Sequence, residues 1–142
     1  MTHNKKVISS IKSWTFWDYV SAAGNNMIEE WLEKDLLDEG RLVFYKLVKN
    51  IRNTESHLNW IGLKRFIKKG TERVWELEFF ADGRQYRLLG EFAGEKQAVF
   101  LIGCYHKQRR YTPTDAIDQA FERKRLLKDG KATKCERKVP ID

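Results

Sequence analysis

The 142-residue sequence predicts a single α+β domain built on a small antiparallel sheet, and three observations carry that prediction. Residues 73–105 hold three β-prone runs separated by tight-turn signals. Residues 27–51 carry two apolar stripes at helical spacing. A capping signal at 112–115 then opens a last amphipathic stretch. The expected order is strand, two-helix hairpin, three strands and C-terminal helix, with the helices on one face of the sheet.

Each element follows from its residues. WTFWDYV (14–20) is aromatic-rich and reads as the first strand. Ser21 to Asn26 break the pattern, and Asn25 or Asn26 offers a side-chain oxygen to cap the helix that follows. Ile28, Trp31, Leu32 and Leu36, then Val43, Phe44, Leu47, Val48 and Ile51, define two helices at about 26–36 and 40–53. Residues 54–72 read as irregular, anchored by Trp60, Leu63 and Phe66. RVWELEFF (73–80) turns through Ala81-Asp82-Gly83-Arg84 into QYRLLGEF (85–92), because Asp-Gly tolerates the positive φ angles of a two-residue hairpin turn. Ala93-Gly94-Glu95-Lys96 leads on to QAVFLIGCY (97–105), read as the central strand. Thr112-Pro113-Thr114-Asp115 offers a capping hydroxyl and a proline for the first helical turn, followed by Ala116, Ile117, Ala120, Phe121 and Leu127 as an apolar stripe. The expected domain spans 14–128, flanked by a basic arm (1–13) and a basic tail (129–142) with little to bury.

Bulk properties narrow the function classes. The net charge of +7 and pI near 9.4 favour a polyanionic partner, with nucleic acid first and an acidic protein surface second. No apolar run approaches the ~20 residues that span a bilayer, so no membrane role is expected. Residues 1–14 lack the apolar stretch and cleavage site of a signal peptide, which makes the cytoplasm the expected compartment. Cys104 lies in an apolar run and Cys135 in a charged one, so no disulfide is expected. Cys104 and His106 share a strand face, but two ligands fall short of a zinc site, and neither metal nor cofactor is expected.

Two groups of residues bear on chemistry. If Asp82-Gly83 centres the hairpin, Glu78 faces Arg87 across the strands. Glu76, Glu78, Gln85, Arg87 and Glu91 then share one sheet face, while Trp75, Leu77, Phe79, Tyr86, Leu88 and Phe92 share the other. Read structurally, Arg87–Glu78 is an ion pair on a solvated face, worth under about 1 kcal/mol. The second group, YHKQRRYTP (105–113), packs an imidazole, three cations and two phenols into nine residues at a strand exit. Cations that hold phosphates, interleaved with rings that stack on splayed bases, suit RNA. Lys64 and Arg65 add exposed cations upstream.

Together VWELEFFADGRQYRLL, YHKQRRYTP and the Ala-Ile-x-x-Ala helix resemble the RelE/HigB toxin superfamily, especially its phage-derived HigB-like branch. The matching residues are Trp75-Glu76-Leu77, Ala81-Asp82-Gly83, Tyr86-Arg87, Tyr105, Lys107 and Thr112-Pro113, and the resemblance covers roughly residues 14–127. It implies a RelE-like fold and the toxin of a type II toxin–antitoxin pair. Such a toxin is a metal-independent endoribonuclease that cleaves mRNA, in many members on the ribosome, and is held by a helix-turn-helix antitoxin. The family reaction uses the substrate's 2′-hydroxyl as nucleophile, and so needs a base, an acid and cations over the phosphorus. By the resemblance Arg87 binds phosphate and Lys107 is the family lysine, the two converging over one phosphodiester. His106 suits proton transfer; Arg109, Arg110 and Tyr111 suit backbone or base contact. Glu78 and Phe80 stand where relatives carry basic residues. The departure points to Glu76 or Glu78 as a different base, to a weaker nuclease, or to a protein that acts by binding, as gyrase-directed relatives do. A basic nucleic-acid-binding module outside the superfamily is the remaining reading.

Overall fold

The computed structural model describes residues 12–139. Most of the expected basic arm over 1–13 lies outside the described residues, as do the last three residues of the expected tail. In chain order the elements are β1 (Thr15–Val20), α1 (Met27–Lys34), α2 (Asp38–Arg52), a short 3-10 turn (His57–Asn59), β2 (Leu63–Lys69), β3 (Glu72–Ala81), β4 (Arg84–Phe92), β5 (Gln97–Lys107), β6 (Arg110–Thr112), α3 (Ala116–Lys128) and β7 (Thr133–Glu136). The seven strands form one open sheet in the order β2-β3-β4-β5-β1-β7, with β6 paired to β5. The fold class is the expected α+β one, but the element order is richer than expected.

Four differences have identifiable causes. Residues 63–69, read as irregular, form β2, the edge partner of β3. Its adjacent Phe66 and Ile67, flanked by Lys64-Arg65 and Lys68-Lys69, break strand alternation and leave it too polar to stand out as a strand, and charge of this kind is how an exposed edge is commonly protected. The last helix starts at Ala116 instead of Thr112, because Thr112 pairs with Tyr105 in β6 and its backbone is committed to the sheet. The basic segment after Gly130 forms β7 on the free edge of β1. Finally, β1 lies parallel to β5, and the helices cover both faces of the sheet.

Strand alternation divides the core into two layers. On one face Phe16, Trp75, Leu77, Phe79, Tyr86, Leu88 and Phe100 pack against Ile28, Trp31 and Leu32 of α1 and Phe44, Leu47, Val48 and Ile51 of α2. The contact is close: a Cβ on Gly103 of β5 would lie 2.1 Å from the Trp31 indole, so only glycine lets α1 sit down on the sheet. On the opposite face Val74, Leu89, Val99, Leu101, Ile102 and Cys104 pack against Ala116, Ala120 and Phe121 of α3.

The hairpin turn also ties the two halves together. Asp82 and Gly83 both hold positive φ, +56° and +72°, as the Asp-Gly signal predicts. The residue at the N-cap of helix α2, Leu37, has no capping side chain of its own. The Asp82 carboxylate serves instead, accepting from the backbone N–H groups of Leu37 and Gly40, each at 3.0 Å, and from the Tyr86 hydroxyl at 2.7 Å. At the other helix start, Asn26 is the cap, accepting from the N–H groups of Ile28 and Glu29.

Candidate functional site

The register of β3 and β4 pairs Glu78 with Arg87 and Glu76 with Leu89, as the hairpin reading requires. Arg87 pairs in turn with Cys104 on β5, and Gln85 with His106. Since side chains alternate along a strand, Glu76, Glu78, Gln85, Arg87 and His106 rise from one face, the face that α3 also covers. The face is not solvated here: Glu76 is fully buried and Arg87 only 5% exposed.

The Arg87 guanidinium is the hub. Its Nη2 lies 2.6 Å from Glu78 Oε2 and 3.1 Å from His106 Nδ1, and it donates to Gln85 Oε1 at 3.3 Å. Its Nη1 lies 3.3 Å from Glu76 Oε2. Glu76 also accepts from Arg65 Nε at 2.9 Å and from the Tyr111 hydroxyl at 2.5 Å, while Arg65 Nη2 donates to the same hydroxyl at 2.9 Å. A carboxylate removed from water is tolerable only when so surrounded by donors. The Tyr111 phenol, half-buried and committed to Glu76, is pushed up to about 12, by burial first and by that hydrogen bond second. Its ring packs edge-on to His106, centroids 4.4 Å apart.

Geometry fixes the state of His106. A guanidinium can only donate, so Nδ1 must accept and the ring proton sits on Nε2. Burial and then the Arg87 cation push the imidazole below 6.5, which agrees with a neutral ring. His106 Nε2 and Arg87 Nε are buried and without a hydrogen-bond partner among the described residues, and Glu78 Oε2 has only its ion-pair contact with Arg87. The remaining orphan atoms of this kind are three tryptophan N–H groups elsewhere in the core.

Of the residues expected at the site, the structure brings together Glu76, Glu78, Arg87, His106, Arg65 and Tyr111. Lys64 sits at its rim, 3.7 Å from Glu78. Lys107 is not brought to Arg87. The expectation of convergence ended the strand at Tyr105, but β5 continues to Lys107. Along that continuation alternation puts His106 beside Arg87 and sends Lys107 off with Tyr105. Arg109 and Arg110 lie at the exposed β5–β6 turn, where Gln108 and Arg109 take positive φ. Sequence reasoning passed over Gln85, although it had placed that residue on the same face. Asp82 was read for its turn alone, and nothing local to it signals that it caps a helix 45 residues earlier in the chain.

Among the described residues no three His, Cys, Asp or Glu side chains gather as metal ligands would, and both cysteines are free thiols. No helix among them is long and apolar enough to cross a membrane.

A family model described as phage derived protein Gp49-like (DUF891) matches residues 31–125, a span that holds every residue of the cluster. No curated protein and no solved structure matches the chain.

Proposed function

As the chain belongs to the phage-derived Gp49-like family, which is associated with toxins of toxin–antitoxin pairs, we propose that it is such a toxin and a metal-independent endoribonuclease. One observation supports this reading above the others. A carboxylate, a guanidinium and an imidazole sit in continuous contact across three adjacent strands, through Glu78, Arg87 and His106. Those are the three group types that 2′-hydroxyl attack on a phosphodiester requires: a base, a cation for the charge on phosphorus, and an acid.

In this reading Glu78, partly exposed, takes the 2′-hydroxyl proton, and the freed oxygen attacks phosphorus. Arg87 offsets the charge that builds on the non-bridging oxygens. His106, once its Nδ1 has parted from Arg87 and the ring is imidazolium, returns a proton to the departing 5′-oxygen as the P–O5′ bond breaks. The products are a 2′,3′-cyclic phosphate and a 5′-hydroxyl. Glu76, with no exposed surface, is a positioning residue that holds Arg87, Arg65 and Tyr111. Lys107 is removed from the phosphate clamp and, with Arg109 and Arg110, assigned to the RNA backbone beyond the scissile bond. The substrate is mRNA, free or on the ribosome, and the inhibitory partner is a helix-turn-helix antitoxin.

Induced expression tests this. Growth arrest with new mRNA ends bearing 5′-hydroxyls is expected from the wild type, and neither from Glu78→Gln or His106→Gln. A second reading, inhibition by binding alone, as by the gyrase-directed relatives of the superfamily, draws on the burial and double neutralisation of Arg87. Arrest with intact mRNA would favour it and sink the nuclease.

A further inference from the structure

Beyond the Glu78–Arg87–His106 cluster the sheet ends in a groove of about 380 Å³, lined by Phe80, Arg84, Gln85, Tyr105, His106 and Lys107. The volume falls in the lower part of the range for small-ligand sites, roughly 300–1,000 Å³. Phe80 pairs with Gln85, and Gln85 with His106, so these three stand in one row across β3, β4 and β5. The row directly behind it is Glu78, Arg87 and Cys104. The groove therefore opens one rung from the cluster at the strand ends, with Phe80, Gln85 and His106 on the cluster's face and Arg84, Tyr105 and Lys107 reaching it from the other.

Its liners are flat groups and cations. Phe80 is 65% exposed. A single exposed ring means little alone, but this one stands beside an imidazole and above strand ends where Arg84 stacks on the Tyr105 ring at 4.4 Å. Lys107 supplies positive charge at the mouth. Gln85 adds a directional group whose orientation is set: Arg87 Nη2 lies 3.3 Å from Oε1 and can only donate. The amide NH2 is left for the groove, where it would meet a hydrogen-bond acceptor.

We propose that this groove is a nucleobase subsite, in which the base next to the scissile phosphate stacks on Phe80 and its acceptor edge receives a hydrogen bond from Gln85. The proposal rests on the RNA reading of the neighbouring cluster and adds to it what sets sequence preference. Stacking on an aromatic ring tolerates any base; an amide donor favours those presenting N7 or a carbonyl oxygen at that edge.

The test is fluorescence anisotropy with labelled 2′-O-methyl RNA, which lacks the attacking hydroxyl, together with cleavage of ordinary RNA. Phe80→Ala is expected to weaken binding about tenfold, the scale of one base–aromatic stack, while Phe80→Trp retains it. A single abasic position walked along the oligonucleotide should weaken wild-type binding by a similar factor at one register only, and Phe80→Ala should be indifferent to it. Binding by Phe80→Ala equal to wild type, or equal loss at every abasic position, overturns the subsite. So does a variant that loses affinity for a protein partner but keeps it for RNA. The two proposals separate cleanly: register-specific binding without cleavage keeps the subsite and removes the nuclease. Cleavage indifferent to Phe80 and to the abasic register does the reverse.

Discussion

At the residue scale, the contact between Arg87 and His106 decides most of the chemistry. An arginine that donates to Nδ1 makes the neutral imidazole the resting form, so His106 binds a proton less readily in the folded protein than in the unfolded chain. The sign follows from linkage. As pH falls through about 6.5 the unfolded chain takes up this proton first, so stability declines there as acid is added. His106→Gln is expected to flatten that part of the stability–pH curve in urea titrations; an unchanged slope would mean the imidazole does not feel Arg87. In the proposed reaction the same depression matters, because the acid form of His106 would exist only below the depressed value. The alkaline limb of the kcat/KM profile is expected below about 6.5, and a limb above it would remove His106 as the acid. Arg87 itself is a structural liability when altered: Arg87→Ala leaves buried Glu76 without one of its two cations, a loss of roughly 3–5 kcal/mol by the general cost of breaking a buried pair. Urea unfolding measures it, and Arg87→Lys keeps the charge for comparison. Much of this cluster was legible beforehand, since the Asp-Gly turn fixes the Glu78–Arg87 register from sequence alone. The separation of Lys107 from Arg87 was not, because a period of two is decided by where β5 ends, and the charged residues 106–107 give no apolar signal that it goes on.

Elements in this fold are joined by polar groups reaching far along the chain, and these were the least legible features. The two amphipathic helices and the three-strand meander announced themselves through apolar periodicity, a local property. By contrast β2 and β7 are edge strands of mostly exposed, charged residues, and such strands exist because a partner edge is available. What holds β7 is just beyond it. Arg137 Nη2 lies 2.5 Å from Asp18 Oδ2 and 2.8 Å from Glu29 Oε1, with the Asp18 and Arg137 side chains 2% and 8% exposed. Arg137→Ala strands the Asp18 charge in the interior. Amide-exchange protection over 133–137 and at the start of α1 is then expected to fall, while α3 keeps its own. Loss spread evenly over the sheet would show that β7 is not a separate unit. Asp82 makes the complementary test from the hairpin side. Burial pushes its carboxyl up, but the bonds from Leu37, Tyr86 and Gly40 outweigh that and hold it below the ordinary value. Its contribution is thus present at neutral pH and lost as pH falls through that lowered value. Asp82→Ala should cost about 0.5–2 kcal/mol, the range of a helix cap, and should loosen the first turn of α2 more than the hairpin.

Across the whole molecule the net charge of +7 says only that an anion is welcome; the distribution of partners says where. Lys64, Arg65 and Arg87 are each matched to a carboxylate, so the middle of the face is close to neutral. Among the described residues Lys107, Arg109 and Arg110 have no carboxylate partner, and all three are exposed at the β5–β6 turn, beside the groove that holds Phe80 and Gln85. An RNA strand would accordingly enter over that turn, where charge is free, and present one nucleotide to the paired cluster, where charge is already balanced. In the proposed reading, affinity and chemistry would fall to separate residues. It predicts that Arg109→Gln with Arg110→Gln weakens binding of single-stranded RNA without changing which bond is cut. Each phosphate contact to a single strand contributes about 0.7 to the slope of log affinity against log salt. The double variant should therefore show a slope shallower by about 1.4 when both arginines touch phosphates. Glu78→Gln, acting at the chemistry, should leave that slope where it was. A double variant with the wild-type slope would mean the RNA approaches from elsewhere, and the +7 charge would then serve a partner other than nucleic acid at this turn.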